Sequence, residues 1–296
     1  MRYTRFHLLT LPAKSACALW QTVLGLMLAF AIMYALTQGV FAVLGAVLAP
    51  ESYAELLSRI DRADTPSGLI LMLGLMGAMG LAAFTVTDLV HKRPPSTIVG
   101  PWPLARRQFW DVLLILLALY AVLMILPPWG MWRATEPGLS LGRWVALLPV
   151  TLIALFIQTG SEELLFRGYL QAQLGARFRS PLAWMILPSL LFGLGHYAPD
   201  LYGTNAWPVV IWAVIYGIAS ADLTARAGTL GPAVAFHMIN NFVAMGLFSM
   251  QGEMSGLALR LLPFGPEDTT AVAAFLPIDL AMIGVSWLAA RIAIRA

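Results

Sequence analysis

The chain has 296 residues, 59% of them hydrophobic and only 11% charged, with a mean hydropathy of +0.78. A soluble globular domain carries about 25% charged residues, so this composition excludes a water-soluble fold and points to lipid as the main solvent. The formal charge of +3 and the lack of a basic tract exclude nucleic acid as a partner. Cys17, the single cysteine, rules out intramolecular disulfides and cysteine-based metal sites.

A membrane-crossing helix needs about 20 apolar residues, and eight segments meet that need: 16–48, 67–90, 109–127, 143–160, 181–198, 206–222, 229–250 and 271–292. The first follows Arg2, Arg5 and Lys14, but its uncharged run far exceeds a signal-peptide core of ~7–15 residues, so it reads as an uncleaved span. In the last segment a helix starting near Pro277 places that proline in the first turn, with Asp279 as a cap. Trp102, Trp110, Trp129 and Trp132 lie near span ends and read as interfacial anchors. Gly74, Gly77 and Gly80 in the second span allow close helix packing.

With eight spans, Lys and Arg number 13 on the side that holds both termini and 5 on the other. The excess of basic residues on cytoplasmic loops therefore puts both termini in the cytoplasm. The 16 Arg against 2 Lys fit a GC-rich bacterial genome, hence a bacterial inner (cytoplasmic) membrane. No internal repeat stands out and no loop is long enough for a soluble domain. The expected fold is all-α and polytopic, a single transmembrane domain over 1–296.

Ionisable groups at membrane depth are expensive, and are functional candidates for that reason. Asp88 and Asp111 fall at span ends and read as interface groups, and Asp222 and Arg226, four apart, can pair. Three clusters are left: Glu162-Glu163-x-x-x-Arg167, Phe192-x-x-x-His196 and His237-x-x-x-Asn241. Glu163 and Arg167 share a helical face and can neutralise each other, a structural ion pair in its simplest reading. Glu162, turned about 100° away, has no local counter-charge. An unpaired carboxylate in a dry environment suits general acid–base work. His237 and Asn241 share a face of their helix, and His196 stacks on Phe192.

Depth relates the clusters. His196 lies 15 residues after Pro181, roughly 22 Å along a helix. Glu162 reaches the same level only if the fourth helix continues past Gly160 to Gly175, which puts it roughly 20 Å from the turn. One long fourth helix is therefore expected, protruding toward the cytoplasm, with Glu162 meeting His196.

Taken together, EExxxR, FxxxH and HxxxN on three helices of an eight-span chain resemble the CAAX prenyl-protease and bacteriocin-processing (CPBP) family of intramembrane metalloproteases. The resemblance covers about residues 145–250. It implies an intramembrane endopeptidase acting on a membrane-associated protein or peptide, of the CAAX type or in bacteriocin processing, with a polar catalytic cavity among helices four, five and seven. It further implies that Glu162 and His196 activate a water, that His237 and Asn241 stabilise the oxyanion, and that Glu163, Arg167 and Phe192 brace the site. A zinc site of the His2Glu kind would use Glu162, His196 and His237, but the compact H-E-x-x-H signature is absent. A metal-free, glutamate-activated water is the preferred reading, with no cofactor committed. Two other classes compete: a non-proteolytic scaffold or bacteriocin-immunity protein, which does not need Glu162, and a transporter with carboxylates as proton relays, disfavoured by the lack of a repeat.

Overall fold

The computed structural model describes residues 3–127 and 133–295; Arg2, Trp129 and Trp132 lie outside them. Eight helices of the described residues build a bundle: α1 (Leu19–Val47), α2 (Pro66–Leu89), α3 (Pro95–Ile125), α4 (Leu141–Arg177), α5 (Leu182–Leu194), α6 (Pro199–Ala227), α7 (Gly231–Asn241) and α8 (Thr269–Ala293). All but α5 and α7 are long and apolar enough to cross a membrane, so the chain is a multi-pass integral membrane protein. Lipid offers no hydrogen bonds, and helices answer this by satisfying every backbone group internally.

The elements differ from the sequence expectation where side chains outside the local run decide. Helix α5 stops at Leu194, short of the expected 198. Ala198 is held extended (φ −130°, ψ 79°) ahead of Pro199, whose ring disfavours a helical residue before it. Helix α8 begins at Thr269, capped by the Asp268 carboxylate, which accepts from the Ala271 amide at 3.0 Å. Pro277 thus lies inside the helix rather than in its first turn. Asp279 is not a cap but accepts a 2.6 Å hydrogen bond from the Trp212 indole of α6. Helix α4 runs 37 residues to Arg177, about 55 Å at 1.5 Å per residue, the length that the depth of the motif requires.

Helix α6 is the hub, packed against α5, α7 and α8 and almost wholly buried over its second half. Helices α2 and α4 meet where Gly80 faces Ser161; a Cβ at Gly80 would lie 2.8 Å from the Ser161 Oγ and 3.3 Å from its Cα. Gly77 faces Ile157, whereas Gly74 packs against nothing nearby. Trp102 and Trp110 are exposed, as anchors in an interfacial belt would be.

At the end of the bundle holding both termini, Phe6 and Leu9 are buried, with Phe6 against Gly175 of α4. There the Asp222 carboxylate accepts from Arg226 (2.7 Å), Tyr3 (2.7 Å) and Trp287 (3.1 Å). At the opposite end three two-residue strands, β1 (Glu136–Pro137), β2 (Phe248–Ser249) and β3 (Arg260–Leu261), form a small sheet in the order β1-β3-β2. It ties the connection between α3 and α4 to the segment between α7 and α8, Glu136 opposite Leu261 and Phe248 opposite Arg260.

Candidate active site

Helices α4 and α7 run antiparallel, and each carries polar residues four positions apart, on one face. The faces meet as a ladder. Gln158 stands opposite Asn241, whose Nδ2 donates to its Oε1 at 2.8 Å. One turn on, Glu162 and Glu163 stand opposite His237. Just past these rungs both helices widen into π-type turns, Leu164–Gln171 on α4 and Phe242–Leu247 after α7, a deviation common at functional sites.

Glu163 is fully buried and its Oε1 has two close partners. The His237 Nδ1 lies 2.9 Å away and the Arg167 Nη1 3.2 Å away. The expected Glu163–Arg167 pair is therefore present, with His237 as a third member. Arg167 is buried too; its Nη2 donates to the Gly217 carbonyl of α6 at 3.4 Å and its guanidinium sits 4.5 Å from the Phe192 ring centroid. Gly217 also lets α5 come close to α6, since a Cβ there would lie 3.0 Å from Ser189 of α5.

Because Glu163 can only accept, Nδ1 of His237 carries a proton, and Nε2 faces the other carboxylate, 3.6 Å from the Glu162 Oε2. That oxygen is buried and has no hydrogen-bond partner among the described residues. Tyr216 lies 5.1 Å from the His237 ring and stacks on Phe236 at 5.0 Å, while Phe192 lies 6.0 Å from His237. The imidazole is thus flanked by two aromatic rings as well as by the two glutamates.

His196 departs from expectation. It lies in the turn after α5 rather than inside a helix, half-buried, its Nδ1 2.9 Å from the Phe192 carbonyl and its ring 4.7 Å from that of Phe192. No hydrogen bond or ion pair joins it to Glu162; the neighbour of Glu162 is His237. With α5 ended at Leu194, helical rise no longer sets the level of His196. His237 and Asn241 are on one face as expected, yet each is engaged by α4, His237 by the glutamates and Asn241 by Gln158. Among the described residues no three His, Cys, Asp or Glu side chains are grouped to hold a metal ion. Glu162, His196 and His237 as arranged do not fit a His2Glu zinc site.

Two residues of the site escaped sequence reading. Gln158 precedes Glu162 by four, mirroring the four-residue step from His237 to Asn241, and that mirrored spacing was the available signal. Tyr216 lies in an apolar run of α6, with no local signal that sets it apart.

Chemically, the arrangement offers a proton acceptor in Glu162, an imidazole fixed in tautomer and orientation by Glu163, and an amide on Asn241, all in a site of low dielectric where such contacts strengthen. Residues 143–243, which hold the whole ladder, match the family model described as type II CAAX prenyl endopeptidase Rce1-like. The chain is also 26% identical over 175 residues to the uncharacterized protein YyaK of Bacillus subtilis (strain 168), a match spanning 57% of each chain. No solved structure matches the chain.

Proposed function

We propose that this chain, whose residues 143–243 match the model of the Rce1-like type II CAAX prenyl endopeptidases, is an intramembrane endopeptidase hydrolysing a peptide bond of a membrane-associated protein or peptide. The observation that carries the reading is the buried Glu162–His237–Glu163–Arg167 array on facing helices, 3.6, 2.9 and 3.2 Å between neighbours. Buried ionisable groups in a membrane are costly enough that function is the default explanation for them.

In this reading Glu162 takes a proton from a water as it attacks the scissile carbonyl, and returns that proton to the leaving amine. The Asn241 amide donates to the oxyanion of the tetrahedral intermediate, joined by His237 through Nε2 when that nitrogen carries a proton as well as the Nδ1 held by Glu163. His196, whose ring lies 4.7 Å from that of Phe192, joins Glu162 in orienting the water. Arg167 and Phe192 hold Glu163 and the wall of the site. No metal is assigned a step. Helices α5 and α7 serve as two further, shorter spans, which makes eight, with both termini in the bacterial cytoplasm.

The test uses purified protein in lipid nanodiscs with a farnesylated, internally quenched CAAX peptide, alongside a comparison of membrane proteomes from cells with the wild type or Glu162→Gln. Glu162→Gln and His237→Ala should each lower turnover about 10²- to 10⁴-fold, the usual loss for an acid–base group, and leave uncleaved precursors in the membrane. Full activity in both variants would refute the protease assignment. Stoichiometric zinc whose removal by chelation abolishes cleavage would refute the metal-free version.

A further inference from the structure

We propose that Gln158 is a positioning residue of this site: it fixes the Asn241 amide so that one Nδ2 hydrogen is committed to Gln158 and the other is free for the oxyanion. The inference rests on the protease reading above. An asparagine amide turns about its last torsion with little preference, and the wrong orientation would present an acceptor oxygen to developing negative charge. Something must therefore choose. Asn241 Nδ2 has a single strong partner, the Gln158 Oε1 at 2.8 Å; its Oδ1 receives only a long 3.5 Å contact from the Asn240 side chain. Gln158 is itself buried, where an unmade hydrogen bond is expensive. It projects from the same face of α4 as Glu162, one turn earlier, so the helix that carries the base also sets the donor.

This arrangement gives the ladder a division of labour. The Glu163 carboxylate holds His237 through Nδ1, and the Gln158 carbonyl holds Asn241 through Nδ2. His237 and Asn241 of α7 are thus each oriented by an acceptor on α4, the two acceptors five residues apart. An acceptor is the chemical requirement at 158, so glutamate should substitute and the similarly shaped methionine should not.

The positioning is read first in the resting protein. Asn205, Asn240 and Asn241 are the only asparagines, so full-length protein labelled with [15N]asparagine in nanodiscs gives three side-chain amide signals, with Asn241→Ser identifying its own. Gln158→Met should shift the Asn241 NH2 pair and reduce the difference between its two protons; Gln158→Glu should keep them apart. On the farnesylated CAAX peptide, Gln158→Met should lower kcat roughly 10- to 100-fold, the scale of a misplaced oxyanion donor, with KM within about twofold, and Gln158→Glu should recover most of it. Adding Gln158→Met to Asn241→Ala should cost nothing more. An unmoved Asn241 signal in Gln158→Met, or additive losses in the double variant, overturns the proposal. Full cleavage by Glu162→Gln instead overturns the catalytic reading beneath it, so the two failures are told apart.

Discussion

Glu163 is the residue on which the site balances, since a single buried carboxylate answers both Arg167 and His237. Removing one member of a buried ion pair strands the other and costs about 3–5 kcal/mol. Arg167→Met should therefore destabilise by that order, measured by thermal unfolding in detergent, and should also disturb His237. Substituting both with Glu163→Gln/Arg167→Met should unfold less readily than Arg167→Met alone, since no isolated charge remains. A second residue-scale prediction concerns His91, in the connection between α2 and α3. The Ala16 carbonyl, 2.8 Å from Nδ1, can only accept, so Nδ1 carries the proton and Nε2 accepts from the Tyr169 hydroxyl at 2.8 Å. Burial, opposed by the Ala16 hydrogen bond and aided by the nearby Arg93 charge, holds this histidine below its ordinary value near 6.5. The unfolded chain then binds more protons than the folded one just below that pH. The contribution of His91 is present above 6.5 and is lost as pH falls through its lowered value. Unfolding scans from pH 7.5 to 5 should show this loss, and His91→Gln should flatten it.

At the scale of elements, the position of Glu162 depends on how closely α4 is approached by α2. Gly80 against Ser161 leaves no room for a side chain, and overpacking of this kind costs typically about 1–3 kcal/mol. Gly80→Val should lower the melting temperature and reduce cleavage together, whereas Gly74→Ala, at a glycine with open surroundings, should leave both near the wild type. Helix α8 illustrates the opposite case. Its interior Pro277 is tolerated because neighbouring helices in a membrane bundle can answer freed backbone groups, and the Trp212–Asp279 bond pins α8 to α6 close by.

For the molecule as a whole, the arrangement of basic loops makes orientation testable. In a Cys17→Ser background, Glu253→Cys on the outer loops should react with a membrane-impermeant maleimide in intact cells, and Ser180→Cys, between α4 and α5, only after permeabilisation. The reverse pattern would invert the topology.

The lipid solvent, the approximate spans, the Glu163–Arg167 and Asp222–Arg226 pairs and the need for a long fourth helix were legible in the linear chain. Hydropathy and four-residue spacing are local quantities, and a helix converts them directly into faces and lengths. The partner of Glu162 was not legible. Helical rise predicts His196 near it, but α5 stops at Leu194, and the side chain against Glu162 is His237, brought there by the antiparallel register of α4 on α7. That register also brings in Gln158, whose only local signal is its four-residue step to Glu162, while the packing of α6 brings Tyr216, which no local pattern distinguishes. Side chains more than seventy positions apart meet only because two helices pack at one offset rather than another. That offset is set by the fit of glycines, serines and aromatic rings across every interface at once, and tertiary structure alone decides it.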